Sequence, residues 1–389
     1  MRGHIRRRGN KYAVIIELPK DDKGKRQQQW YTAQTLPEAE KLLSKLLHEQ
    51  DTGRYVKPSK LTLGTFLNDW IKNIGHTISP RTLEGYKTIA RRIDKDLGYI
   101  PLVQLKPNQI QSYYNQLMSD TGRHDTKGSL SPLTVRHHHA LLRRSLRDAV
   151  RWDIITRNPC DAIRPPRPQK KQINVMTESE VTAFLEAAKQ TDYYALFYTL
   201  LYTGLRRSEI LALRWLDIDL LYGQLQVNRS LHQLKDTSYV YRSTKTGKGR
   251  LVALTPTNID VLQQHKQQQQ ANNLLLNKQS KESDLVFSHP DGSPVRPDTV
   301  THVWARIANK LDITASRLHD ARHTHATLLL KQGIHPRIVQ ERLGHSTISV
   351  TLDIYSHVTP HMQQLAAQRF DEAFNTRHNT PVKNDANDV

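Results

Sequence analysis

Four short segments in the second half of this chain carry side chains suited to phosphoryl transfer. They are Thr203-Gly204-Leu205-Arg206-Arg207-Ser208-Glu209, Thr244-Lys245-Thr246-Gly247-Lys248, His319-Asp320-Ala321-Arg322-His323-Thr324-His325 and Leu343-Gly344-His345. The last is followed ten positions later by Tyr355. His319 and Arg322 are three apart, so a helix presents both on one face, where they can meet one phosphate. A guanidinium stays charged and grips two phosphate oxygens in a fork, which lysine does less well. Arg206 and Arg322 are thus a candidate clamp for the non-bridging oxygens of a scissile phosphate. Each such preorganised donor is typically worth about 3 to 4 kcal/mol in rate.

Taken singly, each of these residues has a plainer explanation. A lone arginine on a helix is ordinarily a surface residue, and Lys245 beside Lys248 reads as a charged turn. His319, His323 and His325 raise the alternative of a metal site. Against it, His325 falls off the face shared by the other two, and Asp320 is the one evident acidic partner. No metal is expected. The signal is the ordered set.

The elements that must hold this set are legible in outline. Leu318, Ala321, Leu328 and Leu329, ended by Gly333, predict a helix carrying His319 and Arg322. The segment at Arg206 is expected to open a helix running through Ile210, Leu211 and Leu213. Lys245 is placed on a hairpin whose strands hold Leu225 and Val227 on one side and Arg250 to Leu254 on the other, with Thr246–Gly249 as its turn. Thr177 and Glu180 form a capping box ahead of Val181, Phe184 and Leu185. Ala195 to Leu205, the longest apolar stretch, falls short of the roughly 20 residues that span a bilayer and reads as a buried helix.

Upstream, residues 61–165 read as a helical bundle. Leu63, Phe66, Leu67, Trp70 and Ile71 form an apolar stripe, and Ser79-Pro80 and Ser131-Pro132 are N-caps followed by proline at the first helical position. The helix after Pro132 is expected to bury Leu133, Leu141, Leu142, Leu146 and Val150. Its other face would hold Arg136, His137, His138, Arg143, Arg144, Arg147 and Arg151. Residues 163–172, rich in proline, arginine and lysine, read as an extended basic linker. In residues 1–60, Tyr12, Val14, Ile16 and Leu18 alternate as a strand, Asp21-Asp22-Lys23-Gly24 supplies a turn, and Lys25 to Thr32 returns. A helix with Leu36, Ala39, Leu42, Leu43, Leu46 and Leu47 follows. Arg6, Arg7, Arg8, Lys11, Lys23, Lys25 and Arg26 decorate the sheet. A basic β-ribbon of this kind enters a DNA major groove or is simply a solvated face, and the pattern alone does not choose. The tail, residues 376–389, is polar and aperiodic and is expected to be disordered.

The expected fold class is therefore multidomain α+β: a small three-stranded β-sheet plus helix, then a helical bundle, then a mainly α domain (residues 166–375) with a small β-sheet. The 389 residues exceed what one ordinary core holds. Lys and Arg number 57 against 37 Asp and Glu, a formal net charge of +20. That balance favours a polyanionic partner, nucleic acid before an anionic membrane surface. Cys160 is the only cysteine, which excludes an intrachain disulfide framework, fits a reducing cytosol and makes a packed residue the expected role. The Ala13–Leu18 stretch contains Glu17 and is too short for a secretory signal core.

In identity, order and spacing, Arg206 within Thr-Gly-Leu-Arg, Lys245, His319-x-x-Arg322, Leu-Gly-His345 and Tyr355 resemble the tyrosine recombinase (phage integrase) family. Integrases of Gram-positive temperate phages and integrative elements are the nearest in pattern. The resemblance spans residues 1 to about 375: the β-module looks like an arm-type DNA-binding domain and the bundle like a core-binding domain, with Arg136, Arg143 and Arg144 as candidate contacts. Two departures are small. Ala321 stands where a bulkier apolar residue is common, and no proline precedes the lysine. The resemblance implies that Tyr355 attacks a DNA phosphodiester, leaving a 3′-phosphotyrosine and a 5′-hydroxyl. It implies Lys245 as the acid for the leaving oxygen, His319 as candidate base, His345 as a phosphate donor and Glu209 as a supporting residue, with the choice of basic histidine open. No cofactor, metal or ATP is implied. Implied partners are double-stranded attachment-site DNA of core and arm type, a homotetramer on that DNA, a host DNA-bending protein and an excisionase, in the cytoplasm and without a membrane. Rival readings are a helix-turn-helix regulator built on Ala326 to Leu343, an enzyme that relaxes supercoils by the same chemistry, and a metal-dependent nuclease.

Overall fold

The computed structural model describes residues 3–19, 24–52, 60–119, 128–169, 174–234, 238–243, 249–315, 317–355, 367–368 and 370–372, with side chains in the last long helix described through Leu352. The chain divides into two compact units, residues 1–170 and 171–389. The turn at Asp21–Lys23, the linker at 170–172, Lys245 and the tail from 376 lie outside the described residues.

The first unit begins with an antiparallel sheet of β1 (Gly3–Arg8), β2 (Lys11–Leu18) and β3 (Gln27–Ala33) in that order, followed by α1 (Leu36–Asp51). The half-buried alternation expected for β2 does not appear at its middle, where Ala13, Val14, Ile15 and Ile16 are all buried. Val14, Ile16 and Ala33 pack with Ala39 and Leu46 of α1, with Ile5, Tyr12, Leu18 and Tyr31 at the margin. The opposite face carries His4, Arg6 and Arg8 of β1, registered against Ile15, Ala13 and Lys11 of β2. Arg7 shares the helix-side alternation of Ile5, and its Nε donates to Gly9 O at 3.4 Å.

A separate core is built by α2 (Leu63–Ile74), α3 (Pro80–Leu97), α4 (Pro107–Met118) and α5 (Pro132–Arg151). Thr62, Ser79 and Ser131 cap three of these helices through their hydroxyls. Two expectations for α5 fail. Leu133 is exposed, and His138 is buried beside His139. The reason lies on α4: Tyr113 Oη meets His138 Nδ1 at 2.8 Å and Tyr114 Oη meets His139 Nδ1 at 3.1 Å. A buried imidazole is tolerated when a phenol satisfies it. Burial drives the His138 value down to about 4, with Arg92 and His137 adding to it. Cys160 is buried as a packed residue, and burial pushes its thiol up to about 12.

The second unit opens with α6 (Glu178–Ala188), capped by the Thr177–Glu180 box, and the buried α7 (Tyr194–Thr203). Then come α8 (Arg207–Ile210), β4 (Ile218–Asp219), β5 (Gln224–Val227), β6 (Arg229–Gln233), β7 (Tyr239–Ser243) and β8 (Arg250–Ala253). The helices α9 (Pro256–Leu275), α10 (Pro297–Lys310), α11 (Asp320–Lys331), α12 (Pro336–Leu343) and α13 (Ile348–Tyr355) complete it. Their core centres on Phe184, Phe197 and Trp304. The helix at Arg206 is far shorter than expected, a four-residue turn. The expected hairpin is also rearranged. Strand β5 does pair with β8, Val227 facing Arg250, but β6 pairs with β7, Arg229 facing Ser243. On one side only Asn228 separates the two ladders; on the other, residues 244–249 do. The segment containing Lys245 therefore joins two ladders, and the chain reverses further out, where Leu234 N donates to Ser238 O at 2.9 Å. Among the described residues, no helix is long and apolar enough to cross a membrane.

Candidate active site

Two left-handed glycines build the floor of the site. Gly204 (φ +66°) ends α7 and Gly344 (φ +67°) ends α12, so each helix stops with carbonyls free to accept. A Cβ on Gly204 would stand 2.7 Å from His325 Cδ2, and one on Gly344 would stand 2.9 Å from Arg250 Nη1, so both positions also need the absence of a side chain. Arg322, on the first turn of α11, is buried and donates from Nη1 to Gly204 O at 2.8 Å and from Nη2 to Leu343 O at 2.6 Å. Burial lowers its value to about 9, with the nearby Arg206 charge contributing, which still leaves it charged at neutral pH.

Arg206 precedes α8 and is partly exposed. Its Nη1 donates to Glu209 Oε1 at 2.6 Å and its Nη2 to Gly344 O at 3.1 Å. Glu209 is buried and bonds back to Arg206 N at 3.0 Å. Burial alone would raise the Glu209 carboxyl, but the Arg250 bonds and charge, followed by Arg206, hold it at about 2. Its ionised form therefore belongs to the fold.

His345 follows Gly344, and its Nδ1 lies 2.9 Å from Thr351 Oγ1 on α13. Burial first, then the charges of Arg322 and Arg206, depress it to about 3. His319 sits at the start of α11, its ring edge-on to His323 with centroids 4.8 Å apart. Burial, then His323 and Arg322, lowers His319 to about 4. Both histidines are neutral at pH 7, a form able to accept a proton or donate a hydrogen bond without adding charge. His319 and Arg322 also line an open cavity of about 310 Å³ with Arg207 and Arg317.

The structure thus brings Arg206, Glu209, His319, Arg322 and His345 into one electrostatically linked cluster. Tyr355 closes α13, its backbone one helical turn beyond Thr351. His325 is not part of the cluster's open face. Its Nδ1 meets Leu201 O at 2.9 Å and its Nε2 accepts from Arg342 Nε at 3.1 Å. Sequence reasoning missed Arg250, which reaches Glu209 with Nη2 at 2.6 Å and Nη1 at 3.1 Å. The available signal was an arginine at the inward position of a strand, two residues before the buried Val252.

Away from this cluster, Arg6, Arg8 and Lys11 are exposed on one face of the first sheet, and Lys25 and Arg26 lie exposed before β3. Arg136 is exposed on α5. Arg143 pairs with Asp161 at 2.9 Å, and Arg144 donates to Tyr86 Oη at 3.1 Å with its guanidinium 5.8 Å from the centroid of the Trp70 ring.

The profile of the phage integrase family matches residues 174–362, and that of the phage integrase N-terminal SAM-like domain matches residues 62–118. A XerC-like tyrosine recombinase of Caldanaerobacter subterraneus is 27% identical over 386 residues, covering 93% of this chain and 96% of that protein. The XerD tyrosine recombinase of Oceanobacillus iheyensis is 30% identical over 238 residues, 59% of this chain and 72% of that protein. A structure of the Tn1549 transposon integrase with transposon right end DNA superposes with a TM-score of 0.67 at 22% identity, over 80% of this chain and 99% of that one, which establishes the fold. With the clustered arginines and histidines already in place, this identity and coverage make the chain a member of the tyrosine recombinase (phage integrase) family and a site-specific DNA recombinase.

Proposed function

We propose that this recombinase cuts and rejoins attachment-site DNA through Tyr355, integrating and excising a phage or mobile element. The observation that carries the reading is the convergence of Arg206 and Arg322 on the Gly344 and Leu343 carbonyls that lead into His345, whose ring bonds Thr351 on the helix that ends with Tyr355. The Tyr355 phenol oxygen attacks phosphorus, and the bond from phosphorus to the 5′-oxygen breaks. The phenol proton passes to a histidine, His319 being the candidate, and the departing 5′-oxygen takes a proton from Lys245. One phosphoester replaces another, so the step conserves bond energy and needs no ATP. Forming phenolate at pH 7 costs about 4 kcal/mol, and the paired guanidinium charges offset it. Arg206 and Arg322 hold the non-bridging oxygens, His345 donates to one of them, and Glu209 positions Arg206.

Residues 1–60 then serve as the arm-type DNA-binding domain, 61–165 as the core-binding domain and 166–375 as the catalytic domain. A homotetramer on DNA, a host DNA-bending protein, an excisionase and a cytoplasmic site of action complete the proposal. The mobile-element assignment draws on the Tn1549 transposon integrase, whose structure holds transposon DNA.

The test is a denaturing gel of full-length protein with nicked core-site DNA in EDTA, comparing wild type with Tyr355→Phe. An SDS-resistant adduct formed by wild type alone is expected. Adduct persisting in Tyr355→Phe removes the tyrosine from its role, and wild-type cleavage abolished by EDTA favours a metal-dependent nuclease.

A further inference from the structure

We infer that Arg250, on strand β8, is a positioning residue for the reaction: it holds both anchors of the phosphate-clamping Arg206. The inference rests on the phosphotyrosine reading above. Arg206 has two anchors, the Glu209 carboxylate and the Gly344 carbonyl. Arg250 grips the first in a bidentate fork, Nη2 to Oε2 at 2.6 Å and Nη1 to Oε1 at 3.1 Å. It secures the second from behind. Its Nε donates to Arg342 O at 2.9 Å, on the last turn of α12, and its side chain packs against Gly344 so closely that a Cβ there would lie 3.0 Å from Arg250 Cδ. His345 continues from Gly344, so the same contact sets the start of the segment that carries it.

Exposure separates the two guanidiniums that share Glu209. The Arg250 fork is spent on Glu209 and its Nε on α12, and its side chain is 13% exposed, against 39% for Arg206. Arg206 is the guanidinium that faces outward, and Arg250 acts through it. The chemistry also explains why an arginine stands here. Glu209 is flanked by two guanidiniums, so the group of three keeps one net positive charge for the phosphate. A planar fork can bind both carboxylate oxygens while its Nε points to a carbonyl; an ammonium offers no such geometry. Because Arg250 opens β8, it also anchors the point at which the segment containing Lys245 rejoins the sheet.

The test uses full-length protein and suicide core-site DNA bearing either the ordinary phosphate or a methylphosphonate at the scissile position. The methylphosphonate lacks the non-bridging negative charge that the clamp serves. On ordinary phosphate, Arg250→Ala is expected to slow single-turnover cleavage about 30-fold or more, with core-site Kd moved less than about 3-fold, and Arg250→Lys to be intermediate. On methylphosphonate the Arg250→Ala deficit should shrink several-fold, in parallel with that of Arg206→Ala. Equal deficits on both substrates, or a wild-type rate, overturn the inference while leaving the Tyr355 reading intact. If Arg250→Ala does not fold by thermal melt, the same ratio measured on Arg250→Lys decides. A wild-type chain that forms no adduct overturns both readings.

Discussion

At the scale of single residues, the site works by withholding charge from histidines and keeping it on arginines. His319 and His345 are neutral because burial and neighbouring guanidiniums oppose their protonation, as burial does for His138 in the helical bundle. His325 is lowered in the same direction, by burial and then Arg342. Each folded-state value lies below the ordinary value of about 6.5, so the unfolded chain takes up more protons as pH falls below that point. Stability is therefore fully present above about pH 6.5 and is lost on acidification toward pH 4. His138, bonded to Tyr113 in a sealed core, should alone cost about 2 kcal/mol at pH 5. The thermal unfolding midpoint is expected to fall clearly between pH 7 and pH 5; a midpoint that stays level across that range contradicts these assignments.

Secondary-structure elements contribute their ends more than their middles. The carbonyls that orient Arg206 and Arg322 belong to the left-handed terminations of α7 and α12. Gly204→Ala should therefore destabilise the protein by about 2 to 5 kcal/mol, combining the left-handed penalty with overpacking against Leu343 and His325. Denaturant unfolding measures it, and a loss below about 1 kcal/mol would mean that the α7 terminus is not held as described. Caps such as Ser79-Pro80, Ser131-Pro132 and Thr177–Glu180 were legible in the sequence because their signals lie within four residues. The pairing of β6 with β7 was not, since Lys245 and its neighbours read equally well as the turn of a shorter hairpin.

For the whole molecule, a formal charge of +20 is useful only where the fold gathers it on surfaces that meet DNA. In the N-terminal sheet the pleat sorts three consecutive arginines: Arg6 and Arg8 stand on one face with Lys11, and Arg7 on the face toward α1. Arm-type DNA binding should weaken in Arg6→Ala and Arg8→Ala, each lowering the slope of log affinity against log salt by about 0.9. Arg7→Ala should change that slope less, and core-site binding should stay level in all three. A titration by fluorescence anisotropy at several salt concentrations checks this, and a larger effect from Arg7 would assign DNA to the wrong face.

The sequence by itself determined the chemical groups and their local frames. His319 and Arg322 could be read as one face because a helix repeats every 3.6 residues, and Gly333 marked the end of that helix because left-handed backbone favours glycine. Tertiary structure decided what depends on distant partners. His138 is interior because Tyr113, 25 residues earlier, supplies its hydrogen bond. Arg250 belongs to the site because strand pairing across residues 227 and 250 delivers it to Glu209, 41 residues away. No local period encodes such meetings, which exist only once the ladder forms and burial makes an unpaired charge too costly to leave.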